Sequence, residues 1–342
     1  MGEELSSRLF ANYLTMLGIR AKYLDPRDAG FTVIREQGSY CVQAEQYRVI
    51  RERIQPLLDE GYVLVPAGFF GYDPAGTIRT FPRGGSDYTG SVLAAATHAG
   101  LYQNFTDVDG ISAVEPTLAE KAPRIVMMSH QELAELTLGG KFGVLQYEAA
   151  VPLAKEGITT QVLNTFDQNS RGTYILAQTG KRGDPVTGIV ERGEMIAFQL
   201  LQYGIANQVG YVSRVLGLFE RMNIPFDYDP ASTNRVSVIV RGSSLRNAGK
   251  TAADVVRTIR EELRPDDIRV NRDSKNLSEV VLVGEDISNE VGLGERIFGT
   301  VARLGINVVR SSLEGICFSL FVRNGDGEKA AKALYEEFFG SR

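Results

Sequence analysis

Histidine is scarce in this 342-residue chain. Only His98 and His130 occur, which argues against a histidine-centred catalytic triad or a multi-histidine metal site. Cysteine is as sparse: Cys41 and Cys317 lie far apart in the chain, a usage that fits buried thiols in a reducing cytoplasm and not a disulfide framework. No apolar run approaches the ~20 residues a membrane-spanning helix requires. The longest, Gly61 to Tyr72, is broken by Pro66 and carries three glycines. The opening Met1-Gly2-Glu3-Glu4 is acidic where a secretory leader is basic and then apolar. Excess positive charge is missing as well. Lys and Arg total 37 against 42 Asp and Glu, a net charge of −5, which argues against nucleic acid or an anionic membrane as partner.

What is present is an ordinary globular balance, 43% apolar and 23% charged residues, which excludes disorder across the whole chain. The length suffices for two or three domains of roughly 100–200 residues. Leu5 to Leu17 has apolar residues at helical spacing (Leu5, Leu9, Phe10, Tyr13, Leu14, Leu17), with Gly18 as the stop. Arg48 to Glu60 is a second amphipathic segment, in which Pro56 predicts a kink or early break. Tyr62 to Pro66 reads as a buried parallel strand. Thr89 to Thr97 is a small, Ala-rich helix ended by Gly100, followed by a strand over Phe105 to Val108. Gln131 to Leu138 is helical, and Gln161 to Asn164 is another strand. Alternating helices and strands imply a layered α/β domain over 1–176.

Gly180-Lys181-Arg182-Gly183-Asp184-Pro185 reads as a linker or loop. Beyond it the stretch Val209 to Ile224 recurs 82 residues later as Val291 to Ile306, without a gap, and strands flank each copy alike. The unit is βαββα, about 70–80 residues long, which marks a duplicated small domain and not a solenoid turn.

Two motifs carry candidate chemistry. Arg83-Gly84-Gly85-Ser86-Asp87-Tyr88-Thr89 lies between the strand-like run Thr77 to Phe81 and the Ala-rich helix. Paired glycines permit close approach, the helix start offers free N–H groups, and Arg83 brings a fork for a carboxylate or phosphate. An anion or amino-acid site follows, with Asp87 as a simple helix cap the alternative. Asn104 to Gly110 is a strand entering an acidic turn at the usual ligand edge of an open α/β sheet, with a plain Asp/Gly turn the equal alternative. Its acidic spacing excludes a calcium loop.

Together these segments resemble the aspartokinases. The matching pieces, in family order, are Gly2-Glu3, Gly68-Phe69-Phe70-Gly71, Arg83 to Thr89, Thr106-Asp107-Val108-Asp109-Gly110-Ile111 and Val162 to Thr165, with the duplicated modules resembling tandem ACT domains. The resemblance implies a three-layer αβα amino-acid-kinase sandwich, N-terminally incomplete, over 1–176, and a linker over 177–193. Two ferredoxin-like βαββαβ ACT domains would follow at 194–275, to which 323–342 is a candidate contributor, and at 276–342. The implied activity is ATP-dependent phosphorylation of the side-chain carboxylate of L-aspartate to 4-phospho-L-aspartate, the first step of lysine, threonine and methionine biosynthesis in the cytoplasm. Glu3, Phe69, Arg83, Ser86 and Asp87 fall where the family contacts aspartate, with Arg83 and Asp87 assigned the catalytic role. Thr106, Asp107 and Ser112 fall at nucleotide positions, and Mg²⁺ would travel with the ATP phosphates. Gly210, Tyr211 and Asp227 are the implied effector site for lysine or threonine, in a homodimer or higher assembly through ACT domains.

Departures accompany the resemblance. Ser112 replaces a frequent Tyr and Thr117 a frequent Arg, and Lys141-Phe142-Gly143 stands out of register with the family's lysine. The family's opening Lys-Phe-Gly-Gly loop is not in the chain, so a truncated form without turnover of its own is the expectation. A catalytically inactive amino-acid-sensing subunit, or a structural partner subunit, is the alternative.

Overall fold

The computed structural model describes residues 2–36, 39–119, 122–138, 144–180, 183–271 and 276–340. The chain divides into two compact units, Met1–Glu115 with Lys121–Gly188, and Pro116–Glu120 with Ile189–Arg342.

In the first unit, helix α1 (Gly2–Met16) lies across the parallel pair β1 (Ala21–Leu24) and β4 (Val63–Pro66). The small Ala11 is its buried contact, so the apolar stripe read from the sequence faces outward: Leu9 is 72% and Met16 84% exposed. Val63 is likewise exposed, so the strand expected to be buried is open at its start. Between these strands come α2 (Pro26–Ala29), capped by Asp25, the hairpin β2 (Ile34–Glu36) and β3 (Ser39–Cys41), and α3 (Glu45–Asp59). Helix α3 continues three residues past Pro56 instead of breaking there. The proline falls in the last turn, which the N–H groups of Glu60 and Gly61 still close.

The hairpin β5 (Phe70–Tyr72) and β6 (Ile78–Thr80) leads into α4 (Gly85–Thr97). This helix begins four residues before the expected start and ends on His98 in the left-handed region (φ 48°), not at Gly100. Its buried Ala94, Ala95 and Ala96 let it pack between α3 and α6 (Tyr147–Glu156). A four-stranded sheet in the order β7-β9-β10-β8 completes the unit: β7 (Tyr102–Thr106), β8 (Met127–Ser129), β9 (Thr160–Asn164) and β10 (Thr173–Leu176), with α5 (His130–Thr137) after β8. Strands β7 and β9 run parallel, so both end at the same edge.

The 14-residue strand β11 (Gly188–Leu201) belongs to the second unit from Ile189 on. It starts inside the stretch expected as a linker over 177–193. The duplication holds element by element at the 82-residue offset. Helix α7 (Tyr211–Arg221) corresponds to α10 (Leu293–Arg303), and β13 (Arg235–Arg241) to β17 (Cys317–Arg323). Gly210 and Gly292 precede the two helices with φ 75° and 83°, where a side chain would be strained. The copies diverge afterwards. The first continues through α8 (Gly242–Asn247), α9 (Ala252–Glu262) and β14 (Asp267–Val270), which pairs with β11. The second ends in α11 (Gly327–Phe339), which packs on α10, β15 (Leu277–Val283) and β17. The helix within 323–342 therefore belongs to the second module and not the first.

With β12 (Asp227–Ser232) and β16 (Arg310–Glu314), the described strands form one sheet in the order β12-β13-β11-β15-β17-β16, with β14 beside β11. The sheet curls. Arg310 on β16 donates to Ser237 on β13 at 3.0 Å, and Met195, Ala197, Ile239, Leu277 and Phe321 fill the concave face. On the opposite face of the first module, Phe198, Leu218, Phe219, Val238 and Ile259 join α7 and α9 to the strands. Burial of such a cluster is the main force holding the module together.

Candidate active site

The glycine pair expected to bring a ligand close instead brings three elements close to one another. Gly84 caps α4 at φ 79°, and a Cβ there would stand 2.7 Å from Gln146 Cγ. A Cβ on Gly85 would stand 2.9 Å from the Phe69 ring and 3.0 Å from Phe81, and one on Gly68 3.2 Å from the Ser86 backbone. The start of α4 is thus wedged between the loop after β4 and the start of α6. No side chain caps it, so its first N–H groups remain available to an anion.

Phe69 is a non-glycine residue at φ 79°, held there by its N–H to Thr89 Oγ1 (3.1 Å) and by Phe81 N–H donating to its carbonyl (2.9 Å). Left-handed backbone of this kind costs about 1–3 kcal/mol and persists where its surroundings impose it. Arg83, directly before the cap, is exposed and makes no hydrogen bond or ion pair among the described residues. It lines a cavity of about 390 Å³ with Glu36, Tyr40, Cys41, Tyr88 and Glu148. Glu3, Phe69, Ser86, Asp87 and Thr106 are not among the residues lining that cavity.

Asp87 is not the cap. It occupies the third position of α4, half-buried, and accepts from Asn104 Nδ2 at 3.0 Å. Burial pushes its carboxyl above the usual carboxylate range, and the Asn104 bond works against that push. Ser86 is exposed on the first turn against Gly68. Glu3 is exposed on the first turn of α1, whose Ser7 donates to the carbonyl of Pro66 at the end of β4 (3.1 Å). That tie sets the start of α1 at the same strand edge as the Phe69 loop.

Thr106 ends β7, and its hydroxyl donates to Asp107 (3.2 Å). Asn164, at the end of β9, donates to Asp109 at 2.7 Å. Thr106 lies two residues beyond Asn104 on the same strand face, about 7 Å along, so one strand links the candidate aspartate and nucleotide residues. Ser112 forms a bridge to Arg124 just beyond the acidic turn. Lys141, Phe142 and Gly143 lie outside the described residues, as do Lys181 and Arg182.

Of the candidate effector residues, Gly210 is the left-handed cap of α7 and Asp227 is exposed at the start of β12. Tyr211 departs from expectation: its N–H donates to Gln208 O (3.3 Å), and its ring is buried in the module core. The reading from sequence placed Asn104 and Asn164 in its motifs without giving either a role, and missed Tyr102. Their only signal was the alternation along β7 and the polar end of β9.

The amino acid kinase family matches residues 1–164, and an ACT domain family matches 280–338. Aspartokinase 3 of Bacillus subtilis is 31% identical over 99% of this chain and 73% of its own length. The crystal structure of Clostridium acetobutylicum aspartate kinase aligns with a TM-score of 0.80 at 28% identity, covering 98% of this chain and 74% of that one. Escherichia coli aspartokinase III aligns at 25% identity over 99% of this chain and 74% of that one, with a TM-score of 0.78 for its complex with aspartate and ADP. Its complex with lysine and aspartate gives 0.70. An amino acid kinase match within the first unit, an ACT match in the second and an aspartokinase aligned over 99% of this chain lead to one conclusion: the chain belongs to the aspartokinase family.

Proposed function

We propose that the first unit binds L-aspartate and ATP and serves transfer of the γ-phosphoryl group to the side-chain carboxylate of aspartate, releasing ADP and 4-phospho-L-aspartate. The observation that carries this reading is the unpartnered Arg83 guanidinium beside the uncapped start of α4. Arg83 receives the α-carboxylate bidentately. Asp87 and Glu3 receive the ammonium group, and Phe69 and Ser86 line the same helix start. Thr106, Asp107 and Ser112 meet the nucleotide at the end of β7. Transfer needs positioning and charge neutralisation and no protein nucleophile, because the substrate carboxylate oxygen itself attacks phosphorus. Mg²⁺ arrives on the ATP phosphates.

Residues 1–176 are the kinase part in this reading, and the two ACT modules are the regulatory part. Lysine or threonine binds at Gly210 and Asp227, and ACT modules of two chains pair. The Escherichia coli relative solved with lysine and aspartate supports an amino-acid effector. A hydroxylamine trap for the acyl phosphate, run with ATP, Mg²⁺ and L-aspartate, tests the reaction. Calorimetry with L-aspartate tests the site, and absence of aspartate binding refutes it.

A further inference from the structure

Among the described residues no cation pairs with Asp87. It is half-buried at the start of α4, and no Lys, Arg or His of α3, α6 or β7 pairs with it among the described residues. What reaches it comes from one face of β7, where Tyr102 and Asn104 stand two residues apart. Asn104 is 6% exposed and spends both amide hydrogens locally, one on Asp87 Oδ1 (3.0 Å) and one on the Tyr102 hydroxyl (3.3 Å). The Tyr102 hydroxyl in turn donates to the Asp87 carbonyl (3.4 Å). Space for that ring is made by Gly90, three residues beyond Asp87 on α4. A Cβ there would stand 2.9 Å from Tyr102 Cε2 and 3.0 Å from its hydroxyl. Helix and strand therefore meet through Asn104 and Tyr102, which each donate to Asp87, whose carbonyl also accepts from Ser91 Oγ within α4 at 2.8 Å.

We propose that Asn104, backed by Tyr102, is a positioning residue that aims the Asp87 carboxylate as acceptor for the ammonium group of aspartate. The proposal rests on the aspartate-binding reading above. Asn104 touches no substrate and acts through Asp87. A donor to a carboxylate favours its charged form, whereas burial favours the neutral form. The titratable side chain facing Asp87 is Tyr102, which stays neutral because burial holds its hydroxyl above the usual tyrosine value. Removing the Asn104 donor leaves the burial effect unopposed. The Asp87 carboxyl then titrates at higher pH, and the acid limb of aspartate binding moves with it. A residue that merely filled space would shift neither.

The test uses the full chain and the variants Asn104→Leu, which keeps the shape and removes the donor, and Tyr102→Phe. Calorimetry with L-aspartate from about pH 5 to pH 8 is paired with ¹³C NMR of the side-chain carboxyls. The Asp87 signal is assigned by its loss in Asp87→Asn. Asn104→Leu is expected to weaken aspartate binding about tenfold at neutral pH, the loss of one hydrogen bond to a charged group. The loss grows toward acid pH, and Asp87 titrates higher. Tyr102→Phe acts in the same direction more weakly, and carries the test should Asn104→Leu fail to fold. An Asp87 titration unchanged in the folded variants overturns the proposal. Should the unsubstituted chain fail to bind aspartate while Asn104→Leu still moves the Asp87 titration, the positioning stands and the aspartate reading falls.

Discussion

Arg83→Ala separates a ligand-binding role from a structural one, because the structure gives the two opposite signs. The guanidinium is exposed and has no partner among the described residues. Its removal therefore breaks no bond in the folded protein. It also takes a positive charge away from the start of α4, where the helix dipole disfavours cations by about 0.3–1 kcal/mol. Stability should stay level or rise slightly. Binding should fall. A bidentate contact supplies two charge-assisted hydrogen bonds, each about 1.5–3 kcal/mol when shielded. An open cavity lets water compete, so we take about 2 kcal/mol for the pair, which is about thirtyfold in the dissociation constant for L-aspartate. Calorimetry measures this, with β-alanine as the control ligand because it lacks the α-carboxylate. The unsubstituted chain should prefer aspartate to β-alanine, and Arg83→Ala should lose that preference. An aspartate affinity within twofold of the original would refute the role of Arg83. A marked fall in thermal midpoint would place the side chain in the scaffold instead.

Three further outcomes are expected. Burial raises the Asp87 carboxyl, so the folded state holds that proton more tightly than the unfolded chain. Its stabilising effect is present at pH below the unfolded value and is lost as pH rises through the folded one. Asp87→Asn should therefore raise the thermal midpoint at neutral pH, with a gain that shrinks in acid; a loss at neutral pH would contradict this sign. Gly172 has φ 63°, and a Cβ there would stand 1.9 Å from the Val162 carbonyl oxygen, so Gly172→Ala must displace backbone between β9 and β10. A loss of about 3 kcal/mol or more in a urea titration is expected, and a loss below about 1 kcal/mol would contradict it. Lysine or threonine at millimolar concentration should raise the thermal midpoint of the second unit, and Asp227→Ala should abolish the rise. If neither ligand acts, or if Asp227→Ala retains the effect, the effector site at α7 is wrong.

The duplication in the second unit was legible in the sequence down to the 82-residue offset, but the divergence of the copies after β13 and β17 was not. Helix starts depend on a glycine able to adopt positive φ and on an apolar stripe of period 3.6, and both are written locally at Gly210, Gly292 and the helices after them. The glycine pair ahead of α4 was legible for the same reason, as a short-range signal, while its assignment to a kinase rested on the resemblance to the family. Tertiary structure decided the rest. Which strand β11 serves was invisible in sequence: it runs through Glu194 at φ 57°, pairs with β13 beyond that point and, earlier, carries Arg192 to Glu279 of β15. Local pattern likewise marked the α1 stripe as apolar but not as exposed, because burial depends on what the fold lays against a helix. Asp87 shows the limit most clearly. Its type and position near a helix start allowed a cap or a ligand contact. The start of α4 at Gly85 put Asp87 at the third helical position and removed the cap, and the approach of β7 set Asn104 against it from 17 residues away. Periodicity and turn chemistry act within a few residues, whereas a hydrogen bond between elements exists only once packing has brought both partners together.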